Sequence, residues 1–130
     1  MRLFLHAGGP LGPVGRAALP DFLGLRRRVA FVTAANLHDE TVYFERIRAA
    51  LEPEPPEGAG LELLHLRWDR DPLGLLREAE ALFMGGGNTY ALLQRLRGAG
   101  LLEAIRARAA AGMPYLGASA GSNVAGPTIL

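Results

Sequence analysis

The sequence predicts an α/β domain with a parallel sheet packed between helices, on three observations. Five short, mainly apolar runs (residues 3–7, 29–33, 62–66, 81–84 and 114–118) alternate with longer helical patterns. The runs are bounded by Gly, Pro or charge, which suits strands buried on both faces. Small and polar residues cluster just after these runs, at Gly8-Gly9, 34–39, 85–89 and 119–123. Those are the strand ends beyond which open parallel sheets bind their ligands.

Each helix has its own signal. Residues 15–25 follow Pro13, and 40–51 follow Asp39 as an N-cap. Asp71-Pro72 supplies a cap and then a proline suited to the first helical turn, opening a short helix to 79. The helix over 88–97 carries Leu92, Leu93 and Leu96 on one side, and 101–111 repeats the pattern with Leu101, Leu102, Ile105 and Ala109 before Gly112. The stretch 53–60, rich in Pro, Glu and Gly, reads as a surface loop because neither flank is long enough to fold alone. The 130 residues are expected to form one domain. Its sheet ends at the last strand, whose outer side is left open to pairing with another chain, a second copy included.

Composition narrows the chemistry. With 49% hydrophobic residues, 21% charged and a net charge of +1, the chain can bury a core and shows no basic face for nucleic acid. There is no cysteine for a thiolate nucleophile or a zinc site, and all 14 basic residues are arginine, so a Schiff-base or P-loop lysine is excluded. Residues 1–7 are too short an apolar run for a signal core or a spanning helix, so the expectation is a cytoplasmic protein without membrane contact.

Serine occurs only twice, and one copy lies in Gly117-Ala118-Ser119-Ala120-Gly121 directly after the last strand. G-x-S-x-G is the spacing of a nucleophile elbow, with roughly 0.03 chance occurrences expected at this composition. Glycines let the strand turn sharply into a helix and expose the hydroxyl, while the Ala120 amide points toward a developing oxyanion. Gly85-Gly86-Gly87-Asn88-Thr89 is a second such position. It suits an oxyanion donor or an anion nest, the alternative being a tight turn capped by Asn88 or Thr89. Gly8-Gly9-Pro10-Leu11-Gly12 misses the dinucleotide-binding register. His6 and His38 end or follow strands and could reach the same edge, whereas His65 reads as a packed, hydrogen-bonded residue. His38-Asp39-Glu40 is better explained by helix capping than by a metal site, and Asp69 and Asp71 by a helix start than by a carboxylate pair. Arg26-Arg27-Arg28 reads as a solvated helix end, and Trp68 and Tyr115 as packing residues.

Taken together, Phe83-Met84-Gly85-Gly86-Gly87-Asn88-Thr89-Tyr90, Tyr115-Leu116-Gly117-Ala118-Ser119-Ala120-Gly121-Ser122-Asn123 and Gly126-Pro127-Thr128-Ile129 resemble the peptidase E (alpha-aspartyl dipeptidase) family. The resemblance implies a three-layer, flavodoxin-like fold of the class I glutamine amidotransferase type, and a serine peptidase that releases N-terminal aspartate from small peptides without metal or cofactor. It implies Ser119 as nucleophile, the Gly87 and Ala120 amides as oxyanion hole, and Asn88 as a substrate contact. Ala118 and Ser122 depart slightly from the family pattern. In the family the general-base histidine and its orienting residue lie well after the nucleophile, and residues 120–130 contain neither a histidine nor an acid. The expectation is therefore an impaired enzyme, cut short after the elbow. The alternative is a non-catalytic relative that keeps the fold and binds a small molecule or associates with itself.

Overall fold

The computed structural model of the chain describes residues 3–6, 13–118 and 121. Its elements follow one another as β1 (Leu3–His6), α1 (Pro13–Leu23), β2 (Arg28–Val32), α2 (Glu40–Leu51), β3 (Glu62–Leu66), α3 (Pro72–Glu78), β4 (Ala81–Met84), α4 (Thr89–Gly98), α5 (Leu101–Ala110) and β5 (Tyr115–Ala118). The five strands form one parallel sheet in the order β1-β5-β4-β2-β3. The alternating apolar runs thus predicted the strands closely, and the loop at 53–60 lies between α2 and β3.

Alternation along each strand sends successive side chains to opposite faces, and each face has its own core. On one side Ala30, Val32, Leu66, Leu82, Met84 and Tyr115 pack against α3, α4 and α5 through Leu76, Leu92, Leu96, Leu101 and Ile105. On the other, Val29, Phe31, Leu63, Phe83 and Leu116 pack against α1 and α2 through Leu19, Leu23, Phe44, Ile47 and Leu51. The result is the expected three-layer sandwich.

The strand order corrects one expectation. β5 is not an edge strand: β1 pairs with one side of it and β4 with the other. Strands β2 to β5 keep the flavodoxin-type order, and β1 fills the place of the fifth strand. Among the described residues the open edges are those of β1 and β3.

Two local expectations also change. Arg28 is not part of a helix end. It opens β2 and pairs with Glu62 at 3.6 Å, while Arg27 Nη1 donates to the Gly24 and Arg26 carbonyls beyond α1. Asp71 precedes Pro72 as foreseen, but it adopts a left-handed conformation (φ 40°) and makes no side-chain cap. Asp39, by contrast, caps α2 as expected, its Oδ1 accepting from the Thr41 and Val42 amides at 3.0 Å each.

Candidate functional site

β2 and β4 are neighbours, yet the chain leaves β2 for β3 on one side and passes from β4 to β5 on the other. Such a switch point opens a crevice beyond the carboxyl ends of the strands. The loops there are 33–39 and 85–88. In the first, the Asn36 amide donates to the Thr33 carbonyl at 2.9 Å, and Asn36 Oδ1 accepts from the His38 and Asp39 amides at 2.9 and 3.0 Å.

The second loop is laid across the first. Gly85 N–H donates to the Val32 carbonyl (2.9 Å), Gly86 N–H to the Tyr43 hydroxyl (3.0 Å) and Asn88 N–H to the Ala35 carbonyl (2.8 Å). Gly87 is exposed, and its amide has no hydrogen-bond partner among the described residues. It adopts φ +139°, a region that essentially only glycine occupies, and a Cβ placed there would overlap the Ala35 carbonyl. Of four consecutive amides, three are used by the fold and the exposed one is left to donate outward. Asn88 Oδ1 is occupied as the cap of α4, accepting from the Ala91 amide at 2.9 Å, so of its side-chain amide the nitrogen remains for an outside partner.

β4 and β5 are paired, with Met84 in register with Gly117, so the two strands end side by side. Ser119 and Ala120 lie outside the described residues, as do Gly8-Gly9, Ser122 and Asn123. Gly121 is described and buried. Its carbonyl accepts from the Tyr115 hydroxyl at 2.6 Å, and a Cβ on it would overlap the Met84 carbonyl.

A half-buried polar network underlies the first loop. Glu40, whose side chain is only 10% exposed, accepts from Thr33 Oγ1 (2.8 Å) and Trp68 Nε1 (3.1 Å) and faces Arg95 and Arg67 at 3.8 and 3.9 Å. Arg95 lies over the Trp68 ring and donates to the Ala34 and Asn36 carbonyls at 2.9 and 3.2 Å, which flank the carbonyl that receives Asn88. A cavity of 470 Å³ opens on the outer flank of this network, lined by Trp68, Asp69, Gln94, Arg95, Gly98 and Ala99. Trp68 therefore does more than pack, and the same holds for Tyr115.

Of the histidines, His65 is the packed, hydrogen-bonded residue expected, and the His6 side chain lies outside what the structure describes. His65 sits edge-on to Phe44 with ring centroids 4.4 Å apart, and its Nε2 is 2.9 Å from Thr33 Oγ1. Because that hydroxyl gives its proton to Glu40, Nε2 must donate. Burial, reinforced by Arg67, pushes the His65 pKa down. The folded protein then binds fewer protons than the unfolded chain, so this contribution to stability is complete above about pH 6.5 and is lost as the pH falls from there through the lowered value. Thermal melts between pH 7.5 and 5.5 should show a falling midpoint, and His65→Gln should flatten the decline; an equal slope in both proteins would refute it. His38 is exposed on its loop. Asp69 pairs with Arg67 at 3.0 Å, and among the described residues no cluster of three His, Asp or Glu could hold a metal ion. No helix of the described residues is long and apolar enough to cross a membrane.

The sequence singles out neither Tyr43 nor Arg95, and Glu40 only as part of His38-Asp39-Glu40. Each sits in a helix at an unremarkable position, and only the helix-to-loop contacts give it a role; Arg95 carries the one faint signal, an arginine beside Leu96 on the packed side of α4.

The chain is similar to known proteins over most of its length. The family model for Peptidase family S51 matches residues 13–130. The chain is 43% identical over 108 residues to Peptidase E of Streptomyces coelicolor, covering 83% of this chain and 42% of that protein. It is 45% identical over 100 residues to the "Probable alpha-aspartyl dipeptidase" of Drosophila melanogaster, covering 76% and 39%. It thus spans less than half the length of these relatives. A crystal structure of a "Putative Peptidase E Protein" from Listeria monocytogenes EGD-e superposes with a TM-score of 0.77 at 31% identity, covering 98% of this chain and 62% of that one.

Proposed function

This chain belongs to peptidase family S51, and on that premise we propose that it is the nucleophile-bearing part of a serine dipeptidase acting on small peptides with N-terminal aspartate. The observation that carries the reading is the exposed, undonated amide of Gly87 in the loop after β4, the strand paired with β5, which Ser119 follows in the chain. Further support comes from the G-x-S-x-G spacing and from the alpha-aspartyl dipeptidase name of one relative.

In this mechanism Ser119 Oγ attacks the scissile carbonyl carbon, and the carbonyl electron pair moves onto oxygen. The Gly87 and Ala120 amides hold that oxyanion, and the Asn88 side-chain nitrogen contacts the substrate. A base takes the hydroxyl proton and passes it to the departing amine as the C–N bond breaks, leaving an acyl-serine that water hydrolyses by the same steps reversed. Metal and cofactor have no part in it. The family resemblance puts the general-base histidine after the nucleophile, so we assign the base to the part of the relatives that these 130 residues do not span; His65 is committed to Thr33.

Hydrolysis of an aspartyl dipeptide tests this reading. The 130-residue polypeptide should reach only the residual acceleration of roughly 10³–10⁴ over water that oxyanion donors and binding supply. Turnover at ordinary enzyme rates that survives Ser119→Ala would overturn the serine reading. Fast turnover lost in both Ser119→Ala and His38→Gln would instead put the base within these residues.

A further inference from the structure

We infer that Arg95 is a positioning residue for the Gly87 amide, holding in place the stretch of the 33–39 loop against which the glycine loop rests. The inference depends on the reading of Gly87 as an oxyanion donor given above, and adds the part that keeps that donor aimed.

Three successive carbonyls are shared between two donors. Ala35 O accepts the Asn88 amide at 2.8 Å, and the Ala34 and Asn36 oxygens on either side accept from one nitrogen, Arg95 Nη1, at 2.9 and 3.2 Å. Gly87 lies so close to the Ala35 carbonyl that no side chain fits between them. Within the loop, the Asn36 amide donates to Thr33 and Asn36 Oδ1 accepts from the His38 and Asp39 amides. Those contacts shape the loop without fixing it to its surroundings; Arg95 ties it to a helix.

That helix is α4, which Asn88 caps, so the contacts close a circuit. The chain leaves the glycine loop, enters α4, and from its last turn sends Arg95 back to the loop on which the glycine loop leans. The guanidinium is held from behind as well. Its carbon lies 5.0 Å from the centre of the Trp68 ring, and Nη1 lies 3.8 Å from Glu40 Oε2. Glu40 is in turn fixed by Thr33 Oγ1, Trp68 Nε1 and Arg67. A planar guanidinium suits this post because it stacks, pairs with a carboxylate and donates at the same time. Without it the Ala34 and Asn36 carbonyls lose their donor, and the Ala35 carbonyl between them is no longer held under Gly87. Displacing a group that acts on the reacting atoms by 1 Å costs on the order of 10²-fold in rate.

Arg95→Lys keeps a positive charge for Glu40 but ends one bond short of Nη1, so the fold should hold while the two carbonyl bonds are lost. In the full 130-residue chain, hydrogen exchange of the Asn88 amide should accelerate while the amides of β2 and β4 keep their protection. Acylation by the 4-nitrophenyl ester of aspartate should slow roughly 10- to 100-fold, with the KM for the ester little changed. Arg108→Lys is the matched control. Arg108 donates to the Leu76 and Ala79 carbonyls at 2.8 and 3.0 Å, where the chain approaches the start of β4 rather than its end. Its loss should lower the urea midpoint and leave Asn88 exchange and the acylation rate as in the wild type. The inference is overturned by wild-type exchange at Asn88 or a wild-type acylation rate in Arg95→Lys, by a loss of protection throughout β2 and β4, or by equal slowing in the two variants. If the wild-type protein gives no Ser119 adduct, the serine reading fails separately, and Asn88 exchange alone decides whether Arg95 holds the loop.

Discussion

Gly87→Ala is expected to slow acylation of Ser119 roughly 10²–10³-fold, the usual effect of losing one oxyanion donor. Strain at φ +139° adds a stability loss of about 1–3 kcal/mol. The two effects share a cause. The new Cβ would enter the Ala35 carbonyl, and that carbonyl cannot retreat without giving up the Asn88 amide at 2.8 Å. Its neighbours Ala34 and Asn36 are tied to the Arg95 guanidinium. The loop must therefore move, and the exposed amide moves with it. Urea midpoints with the ester assay measure both; a variant that acylates at the wild-type rate would remove Gly87 from the oxyanion hole.

Phe31→Ala should have the larger effect on stability, about 3–5 kcal/mol, as for other buried aromatic truncations. The ring is fully buried, 4.7 Å from Phe83, 5.3 Å from Tyr43 and 6.0 Å from Phe44 between centroids. It also lies under Gly85, where a Cβ would come within 2.8 Å of it. Losing it would open a cavity beneath Tyr43, the acceptor for the Gly86 amide, so the glycine loop should loosen as the core weakens. Denaturant unfolding gives the stability loss, and Phe31→Leu should recover most of it. A loss under about 1 kcal/mol would mean that the site collapses around the missing ring.

The fold was largely legible because its strands are short apolar runs and its helices carry local start signals such as Asp39. Strand order was not. The residues of β1 and β5 are similarly apolar, and nothing in either run says that the first strand returns beside the last. That pairing joins residues more than a hundred positions apart and closes the edge that the sequence left open. The site was legible where backbone freedom demands glycine. Three consecutive glycines marked the 85–87 loop, but which amide is left undonated depends on Val32, Tyr43 and Ala35, which lie far away in sequence. Glu40 stood out in the sequence only within His38-Asp39-Glu40; its role as acceptor for Thr33 and Trp68 depends on how α2 packs on the sheet. Tyr115 was readable as a core residue, but its hydroxyl's bond to the Gly121 carbonyl was not.

The central proposal, that Ser119 is the nucleophile, is tested most directly with the 4-nitrophenyl ester of aspartate. Its leaving group departs as a phenolate and needs no proton, so acylation demands far less of a general base than peptide cleavage does. Intact-mass measurement followed by peptide mapping should find one aspartyl adduct, on Ser119, absent from Ser119→Ala. Equal nitrophenol release by Ser119→Ala, or an adduct carried by Ser122 instead, would contradict it.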